Sequence, residues 1–198
     1  MFARTERLLL RPGWQEDAPA LAYAIGEEAV VRNLSTPPWP YREEDAQVFL
    51  SKPLDPMEPR FLIFSRTGGA PRLVGGCGIS PSPDGDLELG YWIARPYWGL
   101  GFATEAGRQL IRIARAMNLP KLTAGHFVDN PTSGAVLRKL GFRPTGKITQ
   151  RYSAARGTSA ASVLFQEGEG DGSDAVTPMR SRIGLDEDFR QELRQLAA

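Results

Sequence analysis

Apolar positions alternate through Leu87, Leu89, Tyr91 and Ile93, then, past Gly99 and Gly101, recur at Ala103, Ala106, Leu110, Ile113 and Met117. The first period is that of a strand with one buried face and the second that of an amphipathic helix. Residues 87–117 therefore predict a strand, a tight glycine turn and a long helix. Upstream, Leu8 to Leu10 predict a short strand that Pro12 and Gly13 end. Residues 15–25 predict a helix, and residues 27–34 a second one that the prolines of STPPWPY cut off. Residues 42–50 resume helically, with Ala46, Phe49 and Leu50 on one side. Residues 60–66 and 71–79 predict a hairpin around Gly68 and Gly69, and the turn SPSPDGD leads into the Leu87 strand. Downstream, residues 121–127 predict another strand. Asn130 and Pro131 are a helix start in the order of cap and first position, Gly141 is the matching stop, and residues 142–152 and 162–165 read as extended, with ARGTSAA between them.

The composition changes abruptly after this. Residues 1–166 predict one domain, the acidic and glycine-rich residues 167–184 a flexible linker, and residues 185–198 a terminal amphipathic helix carrying Leu185, Phe189, Leu193 and Leu196 on one face. A chain of 198 residues can bury a single substantial core. With 24 basic and 23 acidic residues it has no field to attract nucleic acid or an acidic membrane, so a small-molecule site is expected. The single cysteine excludes an intrachain disulfide; Cys77, set among glycines, reads as a small buried residue. No apolar run is long enough to cross a bilayer, and the expectation is a cytoplasmic protein, monomer or homodimer.

The strand, glycine turn and helix start of residues 87–117 are the parts of an anion site. Unpaired backbone N–H groups converge there, the helix dipole adds partial positive charge, and missing side chains let a phosphate approach. A dinucleotide-binding fold is disfavoured. The third glycine is not at its spacing, the preceding strands are linked by hairpins, and no acidic residue ends a strand about 20 residues later. No lysine follows the glycines as a nucleotidase phosphate loop requires.

GYWIARPYWGLGFATEA, then a long helix, a strand and DNPTSGAVLRKLGF, resembles the GCN5-related N-acetyltransferases, in particular their ribosomal-protein branch. The resemblance implies an α+β fold, an α/β/α sandwich whose mixed, mostly antiparallel sheet is splayed between its fourth and fifth strands, with acetyl-CoA in the split. It maps the phosphate loop onto Trp98, Gly99, Leu100, Gly101, Phe102, Ala103 and Thr104, and the pantetheine arm onto the backbone of Tyr91, Trp92 and Ile93, with Asn130 touching the same arm. Trp98 departs from the Gln or Arg that opens this loop in the widest family pattern. Asn130 is equally explained as a helix cap.

Acetyl transfer to an amine needs a deprotonated nucleophile, a donor to the oxyanion and a proton for the departing thiolate. Glu88, on the strand face shared with Gly90 and Trp92, is the first candidate base; a solvated face residue is the alternative. His126, the only histidine, is the second, against a structural role. Ser133 is the candidate acid by resemblance to the ribosomal-protein branch, against an ordinary first-turn serine. Leu137 stands where many relatives carry a proton-donating tyrosine. The oxyanion donor is expected to be a backbone N–H near Trp92 or Ile93. Residues 27–41, with Trp39 and Tyr41, are expected to build the acceptor side. Glu43, Glu44 and Asp45 serve either a cationic amine or their own helix N-terminus. The acceptor is expected to be a protein N-terminal amine, with a small amine such as an amino acid, polyamine or antibiotic, or a non-catalytic acyl-CoA-binding module, as alternatives.

Overall fold

A computed structural model of the chain describes residues 1–168. The strands are β1 (Ala3–Arg4), β2 (Leu8–Arg11), β3 (Arg60–Ser65), β4 (Arg72–Pro81), β5 (Leu87–Ile93), β6 (Thr123–Phe127), β7 (Phe142–Ser153) and β8 (Thr158–Glu167). The helices are α1 (Ala18–Ile25), α2 (Glu28–Val31), α3 (Glu43–Leu50), α4 (Phe102–Ala116) and α5 (Pro131–Lys139). All eight strands form one sheet in the order β1-β2-β3-β4-β5-β6-β8-β7. Every neighbouring pair is antiparallel except β5 and β6.

Period-two alternation decides which layer each side chain joins. In β3, Phe61 and Ile63 enter the larger core with Leu110 and Ile113 of α4, and Leu137 of α5 joins the same cluster. Leu62 and Phe64 point to the opposite face and pack with Ala18 and Leu21 of α1 and Ala46 of α3. Burial on both faces explains why β3 is an almost continuous apolar run. Helices on both faces give the α/β/α sandwich that the motifs implied.

β5 and β6 share a single register pair, Glu88 with Thr123, where the Thr123 hydroxyl donates to Leu87 O at 3.2 Å. Towards Ile93 and Phe127 they pair no further, so the sheet is splayed there. These are the strands counted fourth and fifth from the sequence; the two-residue β1, too short to announce itself, moves each up by one. β8 lies between β6 and β7 and begins at Thr158, inside the segment expected to separate two extended runs. Thr158 to Ala161 show no apolar alternation because they are exposed or half-exposed, and backbone pairing to Gln150–Ser153 sets their conformation. Glu167, expected to open the linker, closes β8; its carboxylate accepts the Leu122 N–H at 2.9 Å and pairs with Arg115. The rest of the expected linker, apart from Gly168, and the terminal helix lie outside the described residues. Among the described residues no helix is long and apolar enough to cross a membrane.

Candidate active site

β5 ends at Ile93, and a short 3-10 turn at Arg95–Tyr97 sends the chain round to α4. The Trp98 indole N–H closes this turn by donating to Ile93 O at 2.6 Å, and the Trp98 amide donates to Arg95 O at 3.1 Å. That amide is therefore already engaged, contrary to its assignment as an anion donor. Gly99 and Gly101 have φ of 77° and 79°, a region in which side-chain-bearing residues are disfavoured, and Gly101 is the N-cap of α4 without any side-chain cap. The N–H groups of Gly99, Leu100 and Gly101 make no hydrogen bond among the described residues. The first-turn N–H groups of Phe102, Ala103 and Thr104 have no intrahelical acceptor by helix geometry. Bare amides at the positive end of a fifteen-residue helix fit a diphosphate.

Arg7, which precedes the Leu8 strand, fastens this corner. Its guanidinium donates to Leu100 O at 2.9 Å and to Glu105 at 2.7 Å, and its own amide donates to Glu105 at 2.9 Å. Thr5 adds a hydroxyl bond to the same carboxylate. Burial alone would raise the pKa of Glu105, but the bonds from Thr5 and Arg7 outweigh it and hold it below the ordinary value. A depressed carboxylate contributes stability that is present above its unfolded pKa and lost as pH falls through the folded one. Glu105→Gln is therefore expected to lower Tm at pH 7. The gap to wild type should close as melts are repeated below about pH 4; a gap independent of pH would count against these bonds.

On the face of the sheet towards α1 and α3, β4 and β5 place Gly76 opposite Trp92, Gly78 opposite Gly90 and Ser80 opposite Glu88. The glycines leave backbone where side chains would otherwise fill the layer, and a cleft of about 650 Å³ opens over them. The Trp92 indole lies across Gly76, where a Cβ would stand 2.6 Å from its Nε1. Leu21, Ile25, Tyr41 and Phe49 form the opposite wall. Burial, reinforced by Asp45, pushes the Tyr41 phenol up to about 12, so it stays protonated. The β7–β8 hairpin roofs one end, with Ser153 Oγ donating to Leu34 O at 2.8 Å and the Ala154 amide to Ser35 O at 2.9 Å.

Glu88 lines this cleft in a bidentate pair with Arg151 of β7, at 2.5 and 2.7 Å. The hydrogen bonds that Arg151 donates to Glu88 raise the Arg151 pKa further. Arg151 was not singled out from sequence because β7 is mostly exposed and only the return of β7 past β5 gives this residue a partner. Gly76, Gly78 and Gly90 did leave a signal, since even spacing puts them on the face of Glu88.

Ser133 sits in the first turn of α5, with its Oγ 2.8 Å from the Tyr91 hydroxyl, which also lies 3.1 Å from Ser133 O. Burial lifts the Tyr91 phenol to about 12 against the lowering effect of Ser133, so it is a neutral partner at physiological pH. Asn130 Oδ1 accepts the Ser133 N–H at 3.4 Å, so this side chain caps α5. His126 is not in the cleft. Its Nδ1 bonds Phe127 O at 2.8 Å, its ring meets Phe165 at 5.4 Å, and its Nε2 would lie 2.6 Å from a Cβ on Gly134. A solvent-facing helical glycine gains about 1 kcal/mol on change to alanine. At Gly134 the imidazole blocks that gain, and Gly134→Ala is expected to cost about 1–2 kcal/mol in denaturant unfolding.

Of the expected acceptor segment, Leu34, Ser35, Thr36, Pro37 and Tyr41 line the cleft, whereas Trp39 does not and is 41% exposed. Asp45 accepts the Arg42 amide at 2.8 Å and Glu43 bonds Gln47 at 3.2 Å, so both serve the start of α3 rather than the cleft.

The family model described as an acetyltransferase (GNAT) domain matches residues 7–143. The uncharacterized N-acetyltransferase p20 of Bacillus licheniformis is 29% identical over 159 residues, spanning 77% of this chain and 88% of its own. Among solved structures, the GNAT-family acetyltransferase from Bacillus anthracis matches with a TM-score of 0.69 at 22% identity, over 84% of this chain and 97% of that one. RimL, a ribosomal L7/L12 α-N-protein acetyltransferase solved with coenzyme A, matches with a TM-score of 0.70 at 18% identity, over 84% and 97%. The fold is thus shared with known acetyltransferases, and the chain belongs to the GNAT family of acetyl-CoA-dependent N-acetyltransferases.

Proposed function

We propose that this acetyltransferase modifies a protein N-terminal amine by direct attack within a ternary complex. The observation that carries the reading is the single β5–β6 register pair, which leaves the edge of β5 open between a bare-amide corner and a glycine-floored cleft. Acetyl-CoA supplies the thioester. The amides of Gly99, Leu100, Gly101, Phe102, Ala103 and Thr104 would hold its diphosphate, and the backbone of Tyr91, Trp92 and Ile93, with Asn130, its pantetheine arm.

Glu88 faces the cleft with both oxygens engaged by Arg151, yet each carboxylate oxygen keeps a further lone pair. Those lone pairs make it an acceptor suited to orienting the incoming amine and passing its proton to water. Ser133, supported by the Tyr91 hydroxyl, would give a proton to the departing thiolate. A backbone N–H near Trp92 or Ile93 would face the oxyanion. The protein N-terminal acceptor is supported by likeness to RimL, whose name assigns it that chemistry.

The test is a panel of peptides with varied first residues, run beside small amines and followed by mass spectrometry and thiol release. Faster acetylation of peptide N-termini, with intersecting initial-rate lines, is the expected result. Acetylation confined to small amines would replace the acceptor, and parallel lines would replace direct attack. Coenzyme binding without thiol release on any amine would leave a binding module.

A further inference from the structure

The cleft says more about the acceptor than that it is an amine. Its floor is glycine backbone at Gly78 and Gly90 with the Trp92 indole laid over Gly76, and its walls are Leu21, Ile25 and Phe49. The charged groups that line it are the carboxylates of Asp55, Glu58 and Glu88 and the guanidinium groups of Arg60 and Arg151, of which Glu88 and Arg151 form an ion pair. Glu88 is neutralised by its bidentate partner, and Asp55 already accepts the Met57 amide at 2.8 Å. A polycation would need carboxylates in clear excess facing it, and this lining sets three carboxylates against two guanidinium groups. An uncharged apolar group loses nothing by entering, and it fills space that the sheet leaves bare.

We infer that the acceptor is an amine flanked by one large apolar or aromatic side chain, and that Gly90 sets the depth available to it. This rests on the cleft being the acceptor site. The amine end meets Glu88, and the side chain occupies the volume between the glycine floor and the α1–α3 wall. For a protein N-terminus this means a bulky apolar first residue; polyamines and polycationic antibiotics are excluded. A Cβ on Gly90 would meet nothing within 4 Å, and its backbone is not in the left-handed region. A side chain there would therefore start into the cleft with its Cβ clear of the protein.

The experiment uses glycinamide, alaninamide, leucinamide and phenylalaninamide, amines of similar basicity, with spermidine as the polycation. From glycinamide to the leucine and phenylalanine amides, kcat/KM should rise about ten- to hundredfold, the range expected for burying such side chains, and spermidine should be poorest. Calorimetric binding of the same amides to the protein loaded with coenzyme A reads the cleft without requiring turnover. Graded binding without turnover would retire the catalytic reading and keep the cleft assignment. Flat binding across the series, or spermidine binding tightest, would overturn the inference whatever the turnover. Gly90→Val should compress the binding series to within about threefold by weakening only the bulky members; an unchanged spread would also overturn it.

Discussion

Gly101→Val is expected to raise the dissociation constant for coenzyme A by at least about a hundredfold, because each charge-assisted hydrogen bond to a phosphate is worth about 1.5–3 kcal/mol and more than one depends on this turn. The cause is conformational. Gly101 stands at φ 79° as the cap of α4, and a β-branched residue there carries roughly 1–3 kcal/mol of strain. The chain relieves that strain only by rotating peptides of the turn, which turns the free amides of Leu100 and Gly101 away from a common point. Crowding inside the protein is not the reason, since the nearest atom to a Cβ would be Arg7 Nη2 at 3.5 Å. A control for strain alone is Gly68→Val, at φ 85° in a turn with nothing within 4 Å. Calorimetry with coenzyme A on both variants separates the cases. Weak binding in Gly101→Val with normal binding in Gly68→Val is expected, and retained affinity in the former would show that the diphosphate lies elsewhere.

How much of this was legible before the fold was known depends on the range over which each feature is set. The β5 strand, the glycine corner and α4 are consecutive, and their periods and breaker residues act over a few positions, so the sequence shows them directly. Asn130, Pro131 and Gly141 likewise bound α5 by local cap chemistry, and Gly141 has the φ of 89° that a helix stop needs. Arg7 and Arg151 were invisible because their partners are far away in the chain: Glu105 for the first and Glu88 for the second. A flank of β2 and an exposed-looking strand residue become site residues only when the tertiary fold brings them to Glu105 of α4 and Glu88 of β5. The same limit applies to β8, whose place between β6 and β7 is a matter of topology, and whose first residues carry no apolar period. His126 illustrates the opposite risk. A lone histidine draws attention by its chemistry, yet Phe127, Phe165 and Gly134 account for its position.

Glu88→Gln is expected to lower kcat by about a hundredfold, near the lower end of what a positioned proton-handling group contributes, with coenzyme affinity nearly unchanged. That factor corresponds to about 2.7 kcal/mol of transition-state stabilisation. The substitution also unpairs Arg151, and the Glu88 and Arg151 side chains are only 16% and 23% exposed, so a loss of stability is expected alongside the loss of rate. Arg151→Gln separates the two effects. It breaks the same ion pair and should cost comparable stability, but it leaves the carboxylate in the cleft to receive the amine. Both variants should therefore melt several degrees lower than wild type, whereas only Glu88→Gln should show the hundredfold fall when kcat is measured well below either Tm. Equal losses of kcat would mean that the pair acts as a structural clamp on the cleft. Unchanged kcat in Glu88→Gln would remove the carboxylate from the chemistry and leave amine deprotonation to water in the cleft.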